Sequence, residues 1–120
     1  MDNNTNILKL KQMVQKFCEE RNWDQFHTPK ELAIGISTEA GELLQLFRFK
    51  TEEDQKEMMN NDHKREVISD ELSDVLYFVL RFAQMYGFDL STSLEKKIAK
   101  NNEKYSIEKS YNNNKKYNEE

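Results

Sequence analysis

Two short acidic spacings hold the most reactive chemistry of this chain. Glu39-x-x-Glu42 and Glu71-x-x-Asp74 each place two carboxylates three residues apart. On a helix that spacing puts both on one face, with Cβ atoms roughly 5–6 Å apart. Their neighbours recur at helical period: Leu32, Ile36, Leu43 and Phe47 run along the stripe of the first pair, and Val67 and Phe78 continue the face of the second. The acids therefore sit in or beside stripes that face a core. If the two helices pack antiparallel, four carboxylates share one small volume. Their mutual repulsion and partial desolvation call for a cation between them. Oxygen-only ligation suits a hard divalent ion, Mg²⁺ or Mn²⁺, which keeps waters and binds substrate phosphates. A di-iron centre of the bundle type would need Glu-x-x-His on two helices, and His63-x-x-Glu66 runs in the reverse order within a polar connector.

The elements that must position these groups are helical. Ile7, Leu10, Val14, Phe17 and Arg21 step by three and four, predicting a first helix over residues 5–21 capped by Asn4 or Thr5. Thr28-Pro29-Lys30-Glu31 starts a second, with Thr28 as N-cap, Pro29 at the first helical position and Glu31 closing a capping box; it is expected to reach about Lys50. A polar connector leads to a third helix over about 65–86, ended by Gly87. Asp89 or Ser91 caps a fourth, through about Lys104. Gly41, between the two glutamates, marks either a close approach of another helix or ligand or a position of no consequence.

Composition agrees with that layout. Among 120 residues, 37% are hydrophobic and 33% charged, and one Pro with three Gly leaves too few turn-formers for a sheet of short strands. One all-α domain over residues 1–105 is expected, followed by a polar tail, 106–120, rich in Asn, Lys and Glu and expected to be disordered. A net charge of −4 with dispersed basic residues speaks against nucleic acid as the main partner. No apolar run approaches the roughly 20 residues that span a bilayer, and the opening MDNNTN lacks the character of a signal or transit peptide. A cytoplasmic chain without a membrane partner is expected. Cys18 is the sole cysteine, so an internal disulfide is ruled out and a buried structural thiol is expected.

In order, the segments FCEERNWDQFHTPKELAI, STEAGELLQLFRFK, DELSDVLYFVLRFA and KIAKNNEKY cover about Phe17 to Tyr105. With both acidic pairs flanked by WxxFHxP and KxxxNxxKY, the chain resembles the all-α nucleoside triphosphate pyrophosphohydrolases of the MazG-like superfamily, and within it the dCTP pyrophosphatase branch. The resemblance implies an oligomeric four-helix bundle, a homodimer or homotetramer, cytoplasmic and concerned with nucleotide balance or pool cleaning. It implies a Mg²⁺ site, with Mn²⁺ as substitute, held by Glu39, Glu42, Glu71 and Asp74. The implied reaction is hydrolysis of a nucleoside triphosphate between its α and β phosphates, on dCTP-like or modified pyrimidine deoxynucleotides.

By the same resemblance Lys50, Lys97, Asn101 and Lys104 match phosphate or nucleoside contacts, and Trp23 matches an aromatic that stacks on the base. Phe49 replaces a Trp and Phe78 a Tyr, exchanges that keep a π-face. Val14 stands where that branch carries a His, which departs from a strict cytosine preference. His27 keeps the family residue. Two other readings carry different expectations: a nucleotide-binding regulatory module with little turnover, and a helical interaction protein whose acidic pairs are surface.

Overall fold

In the computed structural model, which describes residues 1–119, each helix begins where a short polar side chain can satisfy the free amides of a first turn. Helix α1 spans Ile7–Glu19, its Lys9 amide donating to Asn6 Oδ1 at 2.9 Å, so the cap falls one residue beyond those expected. Helix α2 spans Pro29–Phe47, and Thr28 Oγ1 accepts from the Glu31 amide at 3.3 Å. It stops at Phe47 rather than Lys50: Arg48 turns extended and Phe49 takes a left-handed φ of 62°.

The connector is not featureless. Glu52–Met59 forms helix α3, started by a two-way capping box in which Asp54 N donates to Thr51 Oγ1 and Thr51 N to Asp54 Oδ2. Those bonds favour the charged form and hold the Asp54 carboxyl below its ordinary value. Helix α4, Asp62–Tyr86, begins at an Asn61 cap and ends at Gly87, whose amide bonds Ala83 O and whose φ of 74° favours glycine. Helix α5, Leu90–Lys104, starts from Asp89, and helix α6, Ile107–Ser110, from Ser106. The four long helices expected from the sequence are α1, α2, α4 and α5, and no strand occurs among the described residues.

The chain divides into two compact units, Met1–Gly87 and Phe88 onward. In the first, α4 is the hub, packing against α2, α1 and α3. Its buried apolar residues are Cys18 of α1, Leu32 of α2, Met58 of α3, and Ile68, Leu80 and Ala83 of α4. Burying a side chain of Leu or Ile size contributes roughly 1.5–3 kcal/mol. Cys18 is the structural thiol expected, fully buried with Sγ 3.0 Å from Tyr77 Oη.

In the second unit α5 exposes Leu94 and Ile98. In the tail, α6 starts where Ser106 Oγ accepts from the Lys109 amide, and Tyr117 meets Tyr105 edge-on at 5.8 Å. Tyrosines spaced through an otherwise polar tail supply contacts that its overall composition conceals. Glu120 lies outside the described residues.

Candidate metal centre

Each acidic pair occupies one turn of its helix, Glu39 and Glu42 on α2, Glu71 and Asp74 on α4. Because α2 and α4 pack together, the pairs meet. One carboxylate oxygen from each of the four lies within 4.8 Å of all the others. Glu39 and Glu71 are half-buried, Glu42 and Asp74 exposed, so the cluster has an inner and an outer side.

Crowding alters the charge state. A hydrogen bond to the Glu42 carboxylate, then desolvation, then the charges of Glu42, Asp74 and Glu71 push the Glu39 carboxyl up to about 7. Desolvation first, and the Glu42 charge next, raise Glu71. Without a cation the cluster therefore retains a proton near neutrality. Glu39 Oε2 and Glu71 Oε2 are also buried with no hydrogen-bond partner. Buried polar oxygens are nearly always satisfied, and here two of them belong to one oxygen-only donor set. That set fits a hard divalent cation.

Beside the acids lies a cavity of about 510 Å³, which Glu39 and Asp74 help to line. Val14, Phe17, Trp23, Tyr77 and Phe78 make its apolar walls. The rings brace one another: Trp23 meets Phe17 edge-on at 5.6 Å, Tyr77 meets Phe17 at 6.1 Å and Phe78 at 5.0 Å. Burial and the bond to Cys18 raise the Tyr77 phenol, which stays neutral. A volume of this size and an aromatic lining suit a small planar ligand.

The segment bearing Trp23 is held from behind by a residue the sequence reading passed over. Arg81 of α4 is fully buried and donates to Asp24 Oδ1, to His27 Nδ1 at 2.9 Å and to Gln84 Oε1 at 2.6 Å. Tyr86 Oη donates to the His27 carbonyl at 2.6 Å. Since His27 Nδ1 accepts, its neutral ring carries the proton on Nε2. Burial and the Arg81 charge hold His27 below its ordinary value, with Asp24 opposing. An arginine within the apolar run LYFVLRFAQMY was the available signal.

The other sequence candidates lie on other elements. Phe49 is 88% exposed, with the Arg48 guanidinium over its ring, and Lys50 lines a separate hollow with Asp54 and Lys64. Lys97, Asn101 and Lys104 follow one another along α5 in the second unit, and Lys104 Nζ lies 5.1 Å from the Tyr117 ring centroid. Gly41 has nothing within 4 Å of where a Cβ would stand; the close helix approach is at Gly35.

An all-helical fold that converges two carboxylate pairs beside an aromatic cavity defines a class, and the family profile agrees: MazG-like matches residues 34–119, and the chain belongs to the MazG-like family. It is 30% identical to dCTP pyrophosphatase 1 of Homo sapiens over 110 residues, 92% of this chain and 65% of that protein. Against dCTP pyrophosphatase 1 of Bos taurus it is 30% identical over 98 residues, 82% of this chain and 58% of the other. The chain thus spans about three fifths of the length of these curated relatives. Among solved structures, a pyrophosphatase from Archaeoglobus fulgidus superposes with a TM-score of 0.73 at 30% identity, covering 82% of this chain and 90% of that one. No helix among the described residues is long and apolar enough to cross a membrane.

Proposed function

We propose that the protein is a Mg²⁺-dependent nucleoside triphosphate pyrophosphohydrolase, converting a triphosphate and water into the monophosphate and pyrophosphate by breaking the bond between the α phosphorus and the α–β bridging oxygen. The observation that carries this reading is the juxtaposition of four convergent carboxylates with an aromatic cavity that two of them help to line. Its relatives' names, dCTP pyrophosphatase 1 and pyrophosphatase, point the same way.

Glu39, Glu42, Glu71 and Asp74 would hold Mg²⁺, or Mn²⁺ in its place. When bound, the ion supplies positive charge for phosphate oxygens and acidifies water. The chain's own residues do the rest. A carboxylate of the cluster accepts the proton of the attacking water. Trp23 and Phe78 stack on the base, with Phe17 and Tyr77 closing the walls. His27 has Nδ1 committed to Arg81, leaving Nε2–H as the atom it can offer a ligand. For Lys50, Lys97, Asn101 and Lys104 as polyphosphate contacts, and for Phe49 as an aromatic face, the support is the family resemblance alone.

The aromatic walls suit a planar base, and the relatives' name points to a pyrimidine deoxynucleotide of the dCTP kind, modified ones included. Leu44 of α2 at 67% exposure and Leu72 of α4 at 53% leave apolar surface that a homodimer or homotetramer would cover. A cytoplasmic role in nucleotide balance is part of the same proposal.

The test is a panel of ribo- and deoxynucleoside triphosphates with Mg²⁺ and Mn²⁺, read for monophosphate and pyrophosphate. Equimolar release of both, lost in Glu39→Gln, supports the enzyme. Binding without turnover would leave a regulatory module, and no response to metal and nucleotide together would leave a helical interaction protein.

A further inference from the structure

Gly35 and Phe78 meet where α2 crosses α4. Gly35 lies one turn before Glu39 on α2, and Phe78 one turn after Asp74 on α4. A Cβ built on Gly35 would stand 2.5 Å from Phe78 Cε1, 2.6 Å from Cδ1 and 2.8 Å from Cζ, against an ordinary contact of 3.4–4 Å. The ring edge occupies the space that any side chain at position 35 would take. Gly41 on the same helix has open space instead, so the recess is particular to this turn. A mid-helix glycine is disfavoured against alanine, and here close approach by a ring requires it.

Phe78 is also a wall of the aromatic cavity. Any shift of the ring off Gly35 therefore alters that wall. We infer that Gly35 is a specificity-determining residue: by letting Phe78 recede toward α2 it sets the depth of the pocket that receives the nucleobase. Gly35 is thus a positioning residue acting through Phe78. This rests on the nucleotide reading of the site, and commits to the base, rather than the phosphates, as the part of the ligand that Gly35 governs.

The test uses Trp23, the sole tryptophan of the chain and a wall of the same cavity, as fluorophore. Non-hydrolysable α,β-imido analogues of dCTP and dGTP, and inorganic tripolyphosphate as a ligand without a base, are titrated in Mn²⁺. Gly35→Ala is expected to weaken both nucleotides about tenfold or more, the order of one misplaced methyl group in an apolar pocket, and the purine most. Tripolyphosphate should bind it as it binds the parent protein. In Phe78→Leu, adding Gly35→Ala should change nucleotide affinity less than about twofold, because the ring that carries the effect is gone. The double variant also decides the matter should Gly35→Ala alone not fold.

Unchanged nucleotide affinity in Gly35→Ala would overturn the inference and leave the nucleotide reading standing. Equal losses for tripolyphosphate and nucleotides, or an undiminished loss in the Phe78→Leu background, would also overturn it. Failure of the parent protein to bind either nucleotide would instead remove the nucleotide reading, and the inference with it.

Discussion

Metal affinity should fall about tenfold between pH 8 and pH 6. In the metal-free cluster the Glu39 carboxyl is pushed up to about 7 by its bond to Glu42, by desolvation and by three neighbouring carboxylates. A cation that takes Glu39 as ligand must displace that proton, so the apparent dissociation constant is multiplied by one plus ten raised to the difference between pKa and pH. The factor is about 1.1 at pH 8 and about 11 at pH 6. Glu71, raised by desolvation and the Glu42 charge, adds to the effect in the same direction. Isothermal titration with Mn²⁺, run in two buffers of different ionisation enthalpy, measures both affinity and proton release. Close to one proton per ion should leave Glu39 at pH 6 and almost none at pH 8. Glu39→Gln should bind more weakly and with a flatter pH dependence. Equal affinities at the two pH values, no proton release at pH 6, or a Glu39→Gln profile matching the parent would refute the reasoning.

Without metal, the same shift governs folding with the opposite sign. The folded state holds the Glu39 proton more tightly than the unfolded chain, so its contribution is present below about 4.5 and lost as pH rises toward about 7; thermal melts in a chelator should show this fall, reduced in Glu39→Gln. His27 works the other way: held below its ordinary value of 6.5, it contributes stability that is lost as pH falls below that value, and imidazole titration by NMR should find it depressed in the parent and less so in Arg81→Met, where burial still acts. Gly41→Ala, whose Cβ would meet open space within α2, should raise stability by up to about 1 kcal/mol in denaturant melts, and destabilisation would show that something closes on that position.

Helical period and caps were enough to read α1, α2, α4 and α5, because Thr28, Gly87 and Asp89 leave a local chemical signature at the ends they define. Helix α3 escaped because Glu52–Met59 has no extended apolar stripe; its sign was the capping pair Thr51-x-x-Asp54, which is independent of hydrophobicity. The convergence of the four acids could be read because ExxE and ExxD sat among apolar neighbours on two adjacent helices.

Pairing across the core could not. Which glycine faces a ring depends on the rotation of α2 against α4, so Gly41 drew attention for its acidic neighbours while Gly35 carries the contact. Likewise Arg81 reads as an ordinary basic residue until Asp24, His27 and Gln84 are brought around it from other turns. Position 49 shows a third limit: a match to an aromatic site is carried by residue type, whereas the left-handed φ and 88% exposure of Phe49 are properties of the folded chain.

The most direct measurement is an anomalous difference map from crystals soaked in Mn²⁺. A peak within about 2 Å of carboxylate oxygens from both pairs, Glu39 with Glu42 and Glu71 with Asp74, is the expected result. A map in which bound Mn²⁺ lies elsewhere and the four carboxylates keep only protons between them would contradict it.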